Sequence, residues 1–105
     1  MNPVEQIAQY ATGHWVSQMV FAFVKHKMGD AFKQETATAA QIAERTGVDA
    51  KNSYRLLRAL TPLGILEQEG EHFKLTHMGE FLTIKHPNSL VNKVLLEASY
   101  EHVML

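Results

Sequence analysis

The chain has 105 residues, 46% of them hydrophobic and 20% charged, which describes one small globular domain and excludes both wholesale disorder and a separate catalytic domain beside it. A formal net charge of −1 argues against a dedicated nucleic-acid binder, and the lack of cysteine removes disulfides and thiolate chemistry. The N-terminus lacks the basic and apolar regions of a signal peptide, and the longest apolar run, Met19 to Val24, is far below the ~20 residues of a membrane span, so a cytoplasmic location is expected.

In chain order, residues 3 to 11 predict a short first helix. Pro3 suits its first turn, Val4, Ile7, Ala8 and Ala11 share one side, and Thr12-Gly13 is expected to interrupt it. The segment from His14 to Lys27 is the most hydrophobic. Trp15, Val16, Met19, Val20, Phe21, Ala22, Phe23 and Val24 cover more than one face of a helix, so it must be covered on more than one side. A second subunit is the expected cover; a central core helix of a monomer is the alternative. Met28-Gly29-Asp30 is expected to close this helix, with residues 31 to 37 as a connection.

Residues Thr38 to Thr76 carry the pattern of helix, turn, helix and two-stranded hairpin, the winged-helix plan. Thr38 and Gln41 form a capping box, Ile42 and Ala43 give the first helix an apolar face, and Gly47 ends it. Asp49 caps the next helix, whose Tyr54, Leu57 and Leu60 stand at helical spacing and which Pro62 and Gly64 stop. Ile65-Leu66 and Phe73-Lys74-Leu75 flank the turn Glu69-Gly70-Glu71. Thr76 caps a short helix over His77 to Leu82, and Lys85-His86-Pro87-Asn88 forms a polar linker. Ser89 then caps a last helix with Leu90, Val91, Val94, Leu95, Ala98 and Val103 as its apolar positions. It is still apolar at Val103-Met104-Leu105, as though a further segment follows. The fold class is mainly α, winged-helix-like, with a small β-wing and additional helices from both ends.

Catalytic patterns are sparse. Six glycines stand singly, without a dinucleotide or phosphate loop. The six histidines never stand at i, i+4, so no metal site is expected. Glu97, Tyr100, Glu101 and His102 could support acid–base chemistry, but such a group is more often a solvated helix face. Lys51, Arg55 and Arg58, spaced four and three apart, form a basic stripe that could meet DNA phosphates. Glu67, Glu69 and Glu71 occupy the wing, where phosphates would be repelled, so carboxylates of a protein partner are the better match.

Ile42-Ala43, Thr46-Gly47, Tyr54-Arg55-Leu56-Leu57-Arg58, Leu60, Gly64, Phe73, Leu75-Thr76, Gly79 and Leu82 together resemble the N-terminal dimerisation domain of small-molecule O-methyltransferases that use S-adenosylmethionine. Gly13 to Gln18 also looks like that family's entry to its dimer helix. His26-Lys27, where the family has Leu-Gly, and Pro62, at the end of the RLLRAL helix, depart from the pattern. The resemblance implies an intertwined homodimer that roofs a small-molecule methyl-acceptor pocket. The cofactor and the general base would belong to a following domain, so this chain would bind no cofactor and hold no catalytic residue. It implies dimerisation helices in 1–37, the winged unit in 38–76, and helices in 77–105 leading to the absent catalytic domain. By the same analogy Trp15, Gln18, Met19, Phe23, Tyr100 and His102 would face the pocket. Val4, Ile7, Tyr10, Val20 and Val24 would form the subunit interface, although plain core packing is the other reading for the apolar ones. A winged-helix regulator reading DNA through Lys51, Arg55 and Arg58 is the runner-up, and a small effector-binding domain the third.

Overall fold

The computed structural model describes residues 2–96, with backbone only at 10–12. Helix α1 spans Pro3–Lys25 without a break. Asn2 starts it by accepting the Glu5 N–H on Oδ1 at 2.9 Å, and Pro3 fills a first-turn position that needs no N–H. The interruption expected at Thr12-Gly13 does not occur. One glycine costs a helix only about 1 kcal/mol, and nothing lies within 4 Å of the place where its Cβ would be, so no neighbour forces a bend.

The chain leaves α1 through Lys27, which takes a left-handed φ of 55°. Met28-Gly29-Asp30 opens a further short helix, α2 (Met28–Ala31), instead of closing the previous one. The expectation placed Gly29 in a run that closes the helix, whereas its use here is steric. A Cβ on Gly29 would lie 3.1 Å from Thr83 Cγ2 and 3.3 Å from Phe23 Cε2, so the missing side chain lets two elements meet.

The winged unit follows as α3 (Ala39–Thr46), α4 (Ala50–Leu60), β2 (Leu66–Glu69) and β3 (His72–Leu75), preceded by the short strand β1 (Ala37–Thr38). The Thr38–Gln41 capping box is closed in both directions, and Gly47 ends α3 with φ 79°. Asp49 accepts the Lys51 and Asn52 N–H groups at the start of α4. Gly70, at φ 61°, makes the tight connection between β2 and β3, in which Glu69 pairs with His72. The sheet has three strands instead of the expected two, in the order β1-β3-β2, all antiparallel. β1 pairs Ala37 with Phe73, and two residues are too few to show alternation in a sequence.

Phe23, Met28, Phe32, Ile42, Leu57, Leu60, Leu66 and Phe73 are the fully buried large apolar side chains. Each contributes about 1.5–3 kcal/mol by leaving water. They join the C-terminal end of α1 to α2, the helix pair and the inner face of the sheet. Tyr54, expected on the apolar face of α4, is about half exposed and sets its ring edge-on to Phe73, centroids 6.3 Å apart.

Helix α5 (His77–Glu80) is held by Thr76, whose Oγ accepts the Gly79 N–H at 3.0 Å and donates to the Gly64 carbonyl at 2.5 Å. The Thr76 N–H donates to the Ile65 carbonyl at 3.1 Å. Gly79 sits on that same carbonyl, and any Cβ there would overlap its oxygen and press within 3.1 Å of Leu75 Cδ2. The threonine and the glycine three residues on are therefore one packing device. Ser89 Oγ accepts the Val91 N–H at 3.2 Å, and residues 91–96 are helical. Expectations placed on Glu97, Ala98, Tyr100, Glu101, His102 and Val103 lie outside the described residues.

Replacing Gly79 with alanine is expected to cost roughly 2–3 kcal/mol in urea unfolding, because backbone must move to admit the methyl group. Gly13→Ala is expected to stabilise the chain by up to about 1 kcal/mol in the same measurement, since its methyl group meets open space.

Candidate functional site

Helix α1 is 23 residues long, so it extends ~34 Å, and its two halves face different ways. Near its C-terminal end, Phe23 and Val24 are buried in the chain's own core, and Met19 and Val20 pack against that core half-buried. Near its N-terminal end, Val4, Ile7 and Trp15 are 75%, 67% and 65% exposed. At about 100° per residue, Val4, Ile7 and Trp15 form a stripe centred roughly 140° around the helix from the core-facing side chains. That stripe, which also carries Gln18, has no cover from the described residues.

The residues expected to line a pocket divide. Trp15 and Gln18 lie exposed on α1, Met19 is half-buried beside the core, and Phe23 is enclosed by the core of its own chain. Among those expected at a subunit interface, Val4 and Ile7 are exposed, Val20 is half-buried and Val24 is core. Tyr10 is described by its backbone alone, and Tyr100 and His102 lie outside the described residues. Sequence periodicity alone could not separate these groups, because the whole segment is apolar and only packing shows which half the chain covers. Phe32 and Ser53 went unnoticed as core. Ser53 is completely buried, with its hydroxyl aimed at the Val48 carbonyl at 3.5 Å.

The basic stripe of α4 is exposed at Lys51, Arg55 and Arg58, yet it is not a uniform surface. Arg58 Nη1 donates to Gln68 Oε1 at 2.8 Å, and Gln68 Nε2 donates to the Gly70 carbonyl at 3.0 Å. One of the three cations is thereby folded back onto the wing. The wing's Glu67, Glu69 and Glu71 are exposed, with Glu67 facing Lys74 across the ladder. Gln68 and Phe73 face α4, so Glu67 and Glu69, which alternate with Gln68 along β2, stand on the other face of the sheet, and a polyanion approaching α4 would meet Lys51 and Arg55.

A groove of about 840 Å³ opens between the loop at residues 33–35 and the turn at residues 83–87, with Lys74 and Leu75 of β3 on its floor. Among the described residues no group of three or more His, Cys, Asp or Glu side chains is placed to hold a metal ion, and no helix is long and apolar enough to cross a membrane.

Comparison with known proteins accounts for this architecture. The family model for the O-methyltransferase dimerisation domain matches residues 8–85. O-methyltransferase SfmM3 of Streptomyces lavendulae is 38% identical over 72 residues, covering 68% of this chain and 22% of that protein. The crystal structure of N,N-8-amino-8-demethyl-D-riboflavin dimethyltransferase from Streptomyces davawensis superposes with a TM-score of 0.83 at 26% identity, over 99% of this chain and 33% of that one. Human N-acetylserotonin methyltransferase, solved in complex with SAM, shares the fold with a TM-score of 0.83 at 20% identity, over 97% of this chain and 32% of that one. The chain spans 20% to 26% of the length of the curated relatives it matches. With three quarters of its length inside the family match and the capped helices, wing and projecting α1 in place, the chain belongs to the O-methyltransferase dimerisation-domain family.

Proposed function

We propose that this chain joins two copies of an S-adenosylmethionine-dependent O-methyltransferase and forms one wall of the methyl-acceptor pocket, without carrying out methyl transfer itself. The observation that carries this reading is the uncovered apolar stripe of α1 on Val4, Ile7 and Trp15. Left in water, three large apolar side chains forgo several kcal/mol of burial that a second α1 can supply. A symmetric pair places the same stripe on both subunits, the arrangement expected of a two-fold interface.

In this reading residues 1–37 are the association segment, 38–76 the winged scaffold, and 77–105 the lead into a catalytic domain carried elsewhere in the full-length enzyme. Gln18 and Met19 then face the methyl acceptor, with Trp15 where that wall meets the seam between subunits and Val20 extending the contact; the parts expected of Tyr10, Tyr100 and His102 rest on the sequence alone. Phe23 and Val24 support that wall from inside the core. The contribution is shape, orientation and exclusion of water around the acceptor hydroxyl. S-adenosylmethionine supplies the methyl group in such enzymes. The residues described here do not suit it, because the sheet is antiparallel and its glycines stand singly, so no strand–glycine-loop–helix turn is available. Cofactor binding is therefore assigned to the rest of the full-length enzyme.

Sedimentation at tens of micromolar is expected to give a dimer, and a monomer there would overturn the association. Val4→Asp combined with Ile7→Asp is expected to weaken the dimer at least about tenfold while leaving the helical circular dichroism of the winged unit intact. Trp15 is the chain's one tryptophan, so its emission should shift to the blue as concentration rises through the dissociation constant. No mobility shift is expected with duplex DNA at low salt, where electrostatic binding is strongest; a shift lost in Lys51→Ala/Arg55→Ala would favour the DNA-reading alternative instead.

A further inference from the structure

On the basis of the proposed association of two copies, we infer that their α1 helices pair antiparallel about a two-fold axis at residue 11. Each acceptor wall is then completed by the partner's Val4. The uncovered residues are spaced symmetrically about that position. Val4 and Ile7 stand seven and four residues before Ala11, and Trp15 and Gln18 stand four and seven residues after it. All four of these side chains are exposed on one unbroken helix.

At about 100° per residue they fall within roughly 40° of residue 11, Val4 and Trp15 to one side and Ile7 and Gln18 to the other. Val4 to Trp15 and Ile7 to Gln18 are each eleven residues, close to three whole turns, so the stripe follows the helix axis without winding away.

Turned end for end, such a stripe is its own complement. The two-fold axis brings Trp15 level with the partner's Ile7, ~6 Å along the helix from residue 11, and Gln18 level with the partner's Val4, ~10 Å from it. Members of each pair stand on opposite sides of the seam, so they pack side by side instead of tip to tip. The largest side chain of the stripe is then beside a mid-sized one, and an alanine at the axis allows a separation near the short end of the usual range of about 8–10 Å.

A parallel pair would set every residue against its own copy, two Trp15 rings at one level and two Ala11 residues at the next, so bulk and gap would alternate along the seam. It would also bring both winged units to the same end and align the helix dipoles. In the antiparallel pair the winged units go to opposite ends, because the core grips α1 at Phe23 and Val24, ~18 Å from residue 11. Helix α1 starts at Pro3, so the paired length ends just past the level of Gln18. The last two turns of α1, from Met19 onward, lie beyond the partner's helix, and the partner's Val4 borders Gln18 at the edge of the acceptor wall.

The chain has no cysteine, so single introduced thiols report the pairing. Val4→Cys and Gln18→Cys are oxidised with copper-phenanthroline, each alone and as an equimolar mixture after subunit exchange, beside sedimentation of the parent chain. A disulfide-linked dimer is expected in the mixture, at least about tenfold more abundant than with either variant alone. In the antiparallel pair two copies of residue 4 are ~20 Å apart, and a disulfide needs Cα atoms within about 7 Å. Ala11→Cys, a small change at the axis, is expected to link to itself. A sedimenting dimer in which Val4→Cys or Gln18→Cys links to itself would overturn the antiparallel register while leaving the association intact. A link at Ala11→Cys alone would overturn the contact of Val4 with Gln18, and a dimer with no link in any variant would overturn the pairing of α1 with α1. A monomeric parent would overturn the association and the register with it.

Discussion

A single helix has to satisfy two different surroundings along its length, and the organisation of the chain follows from that. The C-terminal half of α1 inserts Phe23 and Val24 among the side chains of the winged unit. The N-terminal half leaves that core while remaining the same rigid rod, so its apolar residues cannot turn back to the domain that anchors them. The roughly 140° offset between the two stripes turns the second one away from the described elements that cover the first. Continuity through Gly13 matters for this reason. A break there would let the first segment fold back and cover itself; an unbroken helix holds it outward.

The winged unit supplies the anchor, and its stability rests on close approaches more than on charge. Gly29 admits Phe23 and Thr83, Gly79 admits the Ile65 carbonyl, and Thr76 binds both sides of that second crossing. Arg58 is spent on Gln68 and through it on the Gly70 carbonyl, an internal clasp between α4 and the wing. Of the three cations on that helix, Lys51 and Arg55 stay exposed while Arg58 is turned back onto the wing.

Much of the local structure was legible in the residues. The Thr38–Gln41 box, the Asp49 and Thr76 caps, the Gly47 terminus and the Gly70 turn all occupy their expected places, because each depends on side chains within three or four residues of one another. The third strand was not legible, since Ala37 and Thr38 become a strand only by meeting Phe73 and His72 from far along the chain. Gly29 was misread for a similar reason. Its neighbours Leu82 and Thr83 are more than fifty residues away, so a packing glycine looked like a terminating one.

The candidate surface divides along the same line. From sequence alone came the mainly α, winged-helix-like class, the family resemblance and the knowledge that the segment before the winged unit is too apolar to be covered once. Those properties are set by composition and by short-range spacing. Which of its apolar residues are spent inside and which are left outside was decided only by tertiary structure. Phe23 and Val24 go to the core, while Val4, Ile7 and Trp15 remain uncovered. The physical reason is that burial is a relation between distant elements: the winged unit reaches only the last turns of α1, and no local pattern records where that reach ends.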